Sequence, residues 1–534
     1  MDSTAPAAPS GGGQAHDGTG SGTELRSAAR GGVAFTVGIF VGLIFQFGWL
    51  KLLTRTLDQS DVGALVEALA IFTICSNAAE LGADTGLMRF GPIFHRRRPQ
   101  DLRRLHVVAL GPALVASTLV AILLFVYSPQ LVHVFVHHAH KGATTVLRVV
   151  ACALPAVTLT TVISAGLRAW TTHIVVVINS FLVPIARPMV LAAFLVAGIT
   201  LKLAAIAYVI PAGAGFVVAA IVLGAKLRST GAAPGEPVAS YERIAGEFWR
   251  FSLPRTFGAI MQVLLLSLDV LLVGAFLSAR QAAAYSFASR YAVYATFALQ
   301  AIVASVLPQM SRLMDARDYV SVKIVYKSST WWTIAASWPA LLALATFAPL
   351  FLSLFGPGYV SGSSALTIIA LAMLANTGTG ASGPLLQMAG RSGVSLVLLT
   401  MSLAINIGLD VWLIPRHGLV GAALALLASV VFNTVLTSTI IWRNFGVEPF
   451  GTGFWITAGA ALACYGVLGL AARLAFGTRA VGFVLYAIIS SVLYVFVLFR
   501  SRKTLHLDAF ESFYAGVFRG ARRLRAATTP NGGR

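Results

Sequence analysis

About fourteen apolar segments, each long enough to cross a bilayer, follow one another along the chain, and the Lys and Arg clusters fall in every second connection. That alternation describes a chain threaded back and forth through a membrane. The composition agrees: 57% of residues are hydrophobic and 11% charged, too little polar surface to keep a soluble chain of 534 residues in water. A net charge of +20 would suit nucleic acid in a soluble protein. Here the basic residues are confined to loops and tails, where they set topology and meet anionic lipid, so no nucleic-acid partner is expected. Cys75, Cys152 and Cys464 sit singly in apolar stretches, without the paired spacing of a disulfide or a metal site.

The expected fold is an all-α integral membrane protein with two pseudo-symmetric six-helix lobes and a C-terminal helix pair. Residues 1–30, rich in Gly, Ala, Ser and Pro, read as a disordered cytoplasmic tail. The first lobe occupies 31–228, with spans at roughly 31–54, 62–88, 105–127, 145–168, 173–198 and 203–226. A polar cytoplasmic linker, 229–250, precedes the second lobe, 251–443, with spans at roughly 252–277, 282–310, 328–355, 361–388, 393–414 and 418–442. Two further spans fill 444–500, and 501–534 is a basic cytoplasmic tail. The lobes open alike: Leu57–Gly63 corresponds to Leu277–Ala283, and a basic loop with an aspartate follows each, near Asp101 and Asp318. An offset of roughly 220 residues over six spans implies parallel repeats related by an axis along the membrane normal, the architecture of a rocking transporter. An even span count puts both termini on one side. Arg96, Arg97, Arg98, Arg103 and Arg104, with the basic tail, make that side cytoplasmic and the membrane the plasma (cytoplasmic) membrane.

Five carboxylates lie within spans: Glu67, Glu80, Asp84, Asp269 and Asp410. A charge at the bilayer centre costs at least about 2.5–3.5 kcal/mol, so each should face a cavity or find a partner. Thr73, Asn77, Glu80 and Asp84 would form one stripe on a continuous second helix, with Arg89 just beyond. The stripe reads either as a packing network or as a water-filled face. Two acids one turn apart repel, which makes a site for a coupling H+ or Na+. On the seventh span Arg255, Gln262 and Asp269 recur every seven residues, and Arg290 stands near Tyr285 and Tyr294 on the eighth. Guanidinium groups bind phosphate bidentately and stay charged, so such a cavity suits a phosphorylated or otherwise anionic substrate. The candidate substrate-binding residues are therefore Arg290, Arg255, Gln262, Asp269, Asn77 and Arg89, and the candidate coupling residues Glu80, Asp84 and Asp269. Asn376–Pro384, and Pro184 with Pro188, weaken two spans at depth, either as cavity-lining breaks or as repaired kinks.

The second half carries Asp269–Gly274, Tyr285–Arg290, Leu307–Leu313, Leu354–Tyr359, and Asn406 ahead of Leu413–Pro415, with Gly418 and Gly421–Ala423. In this succession it resembles the polysaccharide-transport branch of the multidrug/oligosaccharidyl-lipid/polysaccharide exporter superfamily. In the first half, Leu52–Leu57 and Asp61–Gly63 look like that branch's opening turn. The resemblance implies a V-shaped fold that flips a polyprenyl-diphosphate-linked oligosaccharide to the outer leaflet by alternating access, for cell-surface polysaccharide synthesis. It also implies functional partnership with a polymerase and glycosyltransferases, and it carries over roles only at Asp269 and Arg290. The lipid II flippase's opening Ser-Arg motif is matched only in part, by Thr54-Arg55, and Ala283 stands where a glycine is usual before Tyr285.

Two other functions compete. A cation-coupled drug or metabolite antiporter would have twelve spans and an acidic cavity. A membrane glycosyltransferase or polymerase would need a large extracytoplasmic loop or a catalytic acidic loop, and no loop opposite the termini exceeds roughly twenty residues. No nucleophile–base pair, phosphate-binding glycine loop or bound cofactor is indicated, so the chain reads as a transporter and not an enzyme.

Overall fold

The computed structural model describes residues 41–135, 142–168, 170, 181–230, 240–502 and 504–505, and these contain helices and connections but no strand. The first-lobe helices are α1 (41–56), α2 (Gln59–Ala79), α3 (Ala83–Arg97), α4 (Leu102–Val126), α5 (Ser128–Phe135), α6 (Ala143–Cys152), α7 (Leu154–Leu167), α8 (Val183–Ala193) and α9 (Leu201–Ser229). In the second lobe α10 (Tyr241–Phe276), α11 (Ala279–Ala295), α12 (Phe297–Asp315), α13 (Tyr319–Thr346) and α14 (Ala348–Ser353) come first. They are followed by α15 (Ser363–Gly378), α16 (Ser382–Met388), α17 (Ser392–His417) and α18 (Leu419–Phe445). The C-terminal pair comprises α19 (Thr452–Ala461) continuing into α20 (Leu468–Phe476), and α21 (Ala480–Arg500).

Among the described residues nine helices are long and apolar enough to cross a membrane, or eleven when the pairs α6–α7 and α11–α12, each bent by 40°, count as single spans. The fourteen spans expected from the sequence are not reached by that measure. Residues 31–40 of the first span lie outside the described residues, as do 171–180 beside the 11-residue α8. The 28-residue α13 opens on Lys323, Lys327 and Ser328–Thr330. The expected tails, 1–30 and nearly all of 501–534, also lie outside the described residues. The linker is shorter than expected, because α10 begins at Tyr241 with Ser240 as its N-cap, the Ser240 hydroxyl accepting from the Arg243 N–H.

Helices α2 and α11, which follow Leu57 and Leu277 in the two lobes, pack against each other. At their first turns Gly63 lies so close to the Ala279 backbone that a side chain would collide with it. Gln59 Nε2 donates to the carbonyls of Arg280 (3.0 Å) and Gly358 (3.2 Å), closing this end of the seam. At the arginine-rich end, Gly82 and Gly86 of α3 admit Ser252 and Phe248 of α10, and Arg98 pairs with Glu247 at 3.9 Å. The 36-residue α10 therefore packs on the first lobe near both of its ends.

The C-terminal pair docks on α13. Gly451 and Gly453 receive the Trp331 ring, Arg473 Nη1 donates to the Thr346 carbonyl (2.9 Å), and Tyr494 donates to Ala335 (3.2 Å). The break after α15, where Gly380 has φ +57°, is a repaired one: the buried Tyr326 hydroxyl donates to the freed Thr379 carbonyl at 2.7 Å.

Candidate functional site

The continuous stripe expected on the second span does not form. Leu81 (φ +52°) and Gly82 (φ +68°) turn the chain out of helix between α2 and α3, so Asp84 stands in the first turn of a new helix, where it still lies close enough to Glu80 for the two acids to repel. Asn77 keeps its place in α2, half-buried, its Nδ2 donating to the Thr73 carbonyl at 2.9 Å. Glu80 is buried at the end of α2 beside the Thr161 hydroxyl of α7, inside the first lobe and not on a water-filled face. Asp84 accepts from the Thr85 hydroxyl at 3.1 Å.

The break gives α3 a new direction. From Gly82, packed on Ser252, the face of α3 runs through Gly86, packed on Phe248, to Arg89. On α10, Arg255 lies one turn after Phe251, and the guanidinium carbons of Arg89 and Arg255 each sit 4.2 Å from the Phe251 ring centroid. One phenyl ring thus holds a cation from each lobe; both arginines are exposed, so each contact is worth about 0.5–1 kcal/mol. The two guanidiniums repel each other, and no carboxylate compensates them among the described residues. Gln262, two turns along α10, is exposed. Arg290 on α11 is half-buried and, among the described residues, has no hydrogen bond, ion pair or ring contact that would join it to the Arg89–Arg255 pair. Phe251 was not legible as a site residue beforehand; its one available signal is its position four residues before Arg255.

Asp269 does not line a cavity. It is 2% exposed, between α10, α11 and α17, and accepts from the Tyr285 hydroxyl through Oδ2 at 2.7 Å. Asp410 and Asn406 of α17, both 0% exposed, adjoin it. Asp269 Oδ1, both Asp410 oxygens and the Asn406 amide make no hydrogen bond while both acids are ionised, and the Asp410 and Asn406 side chains lie within reach of Asp269, so one proton can be shared across the pair. Two buried carboxylates at this range cannot both carry charge unless a cation lies between them. An all-oxygen donor set suits a proton or a hard cation. No group of three His, Cys, Asp or Glu occurs among the described residues. The pairing of Asn406 with Asp410 was available as an i, i+4 spacing on one helix face.

A fifth carboxylate marks the seam itself. Glu67 is 0% exposed, both its oxygens lack partners, and it lies against Gly274 of α10. Charge is therefore sorted within the helices: guanidiniums without acids in one place, carboxylates without bases in others.

Comparison with known proteins bears on this arrangement. A family model described as polysaccharide biosynthesis protein matches residues 28–314, and the MatE model matches 254–412. The chain is similar to the probable low-salt glycan biosynthesis flippase Agl15 of Haloferax volcanii, 27% identical over 206 residues, which are 38% of this chain and 43% of that protein. The match thus spans less than half the length of this curated relative. Among solved structures, the lipid II flippase MurJ in an inward closed conformation superposes with a TM-score of 0.70 at 12% identity, covering 89% of this chain and all of that one. An inward-facing multidrug resistance MATE family transporter of the MOP superfamily gives 0.60 at 13% identity, covering 76% of this chain and 98% of that one. At such identities these two likenesses bear on the fold, which is the two-lobed transporter fold.

Proposed function

The chain belongs to the polysaccharide biosynthesis protein family, whose model covers more than half of it, and from that premise we propose that it flips a lipid-linked oligosaccharide from the cytoplasmic to the outer leaflet by alternating access. The observation that carries the reading is the pair of acid-free guanidiniums, one per lobe, on the Phe251 ring. A charge left unpaired in a membrane domain is costly, and a diphosphate carries the planar acceptor oxygens that guanidinium forks match. A ligand held by one arginine from each lobe favours their closure, and its departure frees them to separate. Arg290 and Gln262, apart from this pair on α11 and α10, are further candidates for contact with the headgroup, with the lipid tail remaining in the bilayer beside the seam.

The buried Asp269–Asp410–Asn406 cluster with Tyr285 is the better candidate for the coupling H+ or Na+ than Glu80 and Asp84, because its open oxygens converge from separate helices. Both termini are assigned to the cytoplasm from the basic connections at the α3–α4 end. Glycosyltransferases that build the headgroup and a polymerase that consumes it are the partners this reading implies.

Arg255→Ala and Arg89→Ala, made in the full chain, are expected to abolish glycan export at unchanged protein abundance. Unchanged export in both would overturn the reading. The antiporter alternative has the MatE match over 254–412 in its favour. It gives no use for two uncompensated arginines at the seam.

A further inference from the structure

A cavity of about 820 Å³ opens in the first lobe at the end remote from the arginine-rich connection. That volume lies within the roughly 300–1,000 Å³ of small-molecule sites. Three helices begin at its wall: their N-caps, Asp58 of α2, Gly142 of α6 and Thr200 of α9, all line it. Arg55 and Lys202, both exposed, add two cations, and Asp58 and Asp61 two carboxylates. The side-chain charges balance; α2 begins with its own acids and Thr200 caps α9, so it is the N-terminus of α6, with Gly142 as a cap lacking a side chain, that tips the field toward an anion. Thr145 supplies a hydroxyl, and Leu57 and Ile199 supply apolar surface.

We propose that this cavity is a second binding site, on the extracytoplasmic side, for a carbohydrate bearing an acidic group. Each part of such a ligand has a counterpart in the wall. Arg55 and Lys202 meet the carboxylate or phosphate, Asp58 accepts from sugar hydroxyls, and Leu57 with Ile199 meets the apolar face of a ring. A plain anion would leave the carboxylate and the apolar wall unused. The assignment to the outer side and to a glycan rests on the flippase reading. The cavity begins one residue from Gln59, which ties α2 to the second lobe. A headgroup leaving the seam at this end meets the cavity at once, so occupancy there would hold sugar on the side of release.

The test uses the full chain in zwitterionic nanodiscs, which expose both faces, titrated calorimetrically with digalacturonate, with the neutral disaccharide galactobiose and with inorganic phosphate. Digalacturonate is expected to bind wild type. The R55Q/K202Q double variant is expected to weaken it at least tenfold, and Thr145→Trp, a change at an exposed position that fills the space, to do the same. Arg255→Ala is expected to leave this affinity unchanged. The proposal is overturned by equal affinity for galactobiose, by equal affinity for phosphate (a simple anion or lipid-headgroup site), by no binding of digalacturonate, or by binding lost with Arg255→Ala and kept in R55Q/K202Q. Export that survives Arg89→Ala and Arg255→Ala while digalacturonate still binds would sink the flippase reading and leave the cavity's chemistry standing.

Discussion

The Tyr285 hydroxyl engages Asp269 through Oδ2 at 2.7 Å, and the same carboxylate lies within hydrogen-bonding reach of the Asp410 and Asn406 side chains. A tyrosine that only neutralised a stray carboxylate would not need a second acid beside it. On the coupling reading, Tyr285 orients Asp269 toward Asp410, and a proton or a cation would hold the two acids together.

Asp410→Asn is therefore expected to remove the cation dependence of transport while preserving the fold. A ligand that binds only the folded state stabilises it by about 2.7 kcal/mol at a hundredfold excess over Kd. Wild-type thermal stability should rise with the coupling ion, Na+ or H+, and that of Asp410→Asn should not. An equal rise in both would remove Asp410 from the coupling site.

Phe251→Leu keeps the apolar bulk and deletes the ring that Arg89 and Arg255 share. Losing two exposed cation–π contacts of about 0.5–1 kcal/mol each loosens the pair without removing either charge. Export should fall several-fold, less than in Arg255→Ala, as measured by glycan appearing on the cell surface. Full activity in Phe251→Leu would make the ring incidental.

Gly63→Val places a branched side chain against the Ala279 backbone. Overpacking of this kind costs about 1–3 kcal/mol, and the closed seam loses stability relative to the open one. Distance measurements by paired spin labels across α2 and α11 should show a larger separated population in the variant. An unchanged distribution would mean that the contact does not hold the lobes.

Tyr326→Phe leaves the Thr379 carbonyl without its donor. An unsatisfied buried acceptor costs about 1–3 kcal/mol, and the variant should unfold at lower temperature with export affected little at permissive temperature. Loss of export at full stability would recast the α15–α16 break as a moving part.

Much of the fold was legible because membrane insertion writes itself into long apolar runs and into the placement of Arg and Lys. Leu57–Gly63 and Leu277–Ala283 lead into two helices, α2 and α11, that pack against each other. The site was legible only residue by residue. Arg89 and Arg255 stand out as charges in apolar sequence, yet nothing local says that Phe251 lies between them. Asp269 was read as a cavity residue because its partners, Asn406 and Asp410, come from a helix far along the chain. The Glu80–Asp84 stripe failed for a local reason that was present all along: Gly82 sits where a left-handed residue ends one helix and starts another.

The uninterrupted length of α10 constrains how the molecule can work. Its early turns clasp Gly82 and Gly86, and its late turns clasp Glu67, so a single beam bears on both mouths of the pathway. On the flippase reading, parting the lobes at one end would carry the other end of this helix toward the first lobe, so opening at the two ends would be mutually exclusive without a separate gate for each.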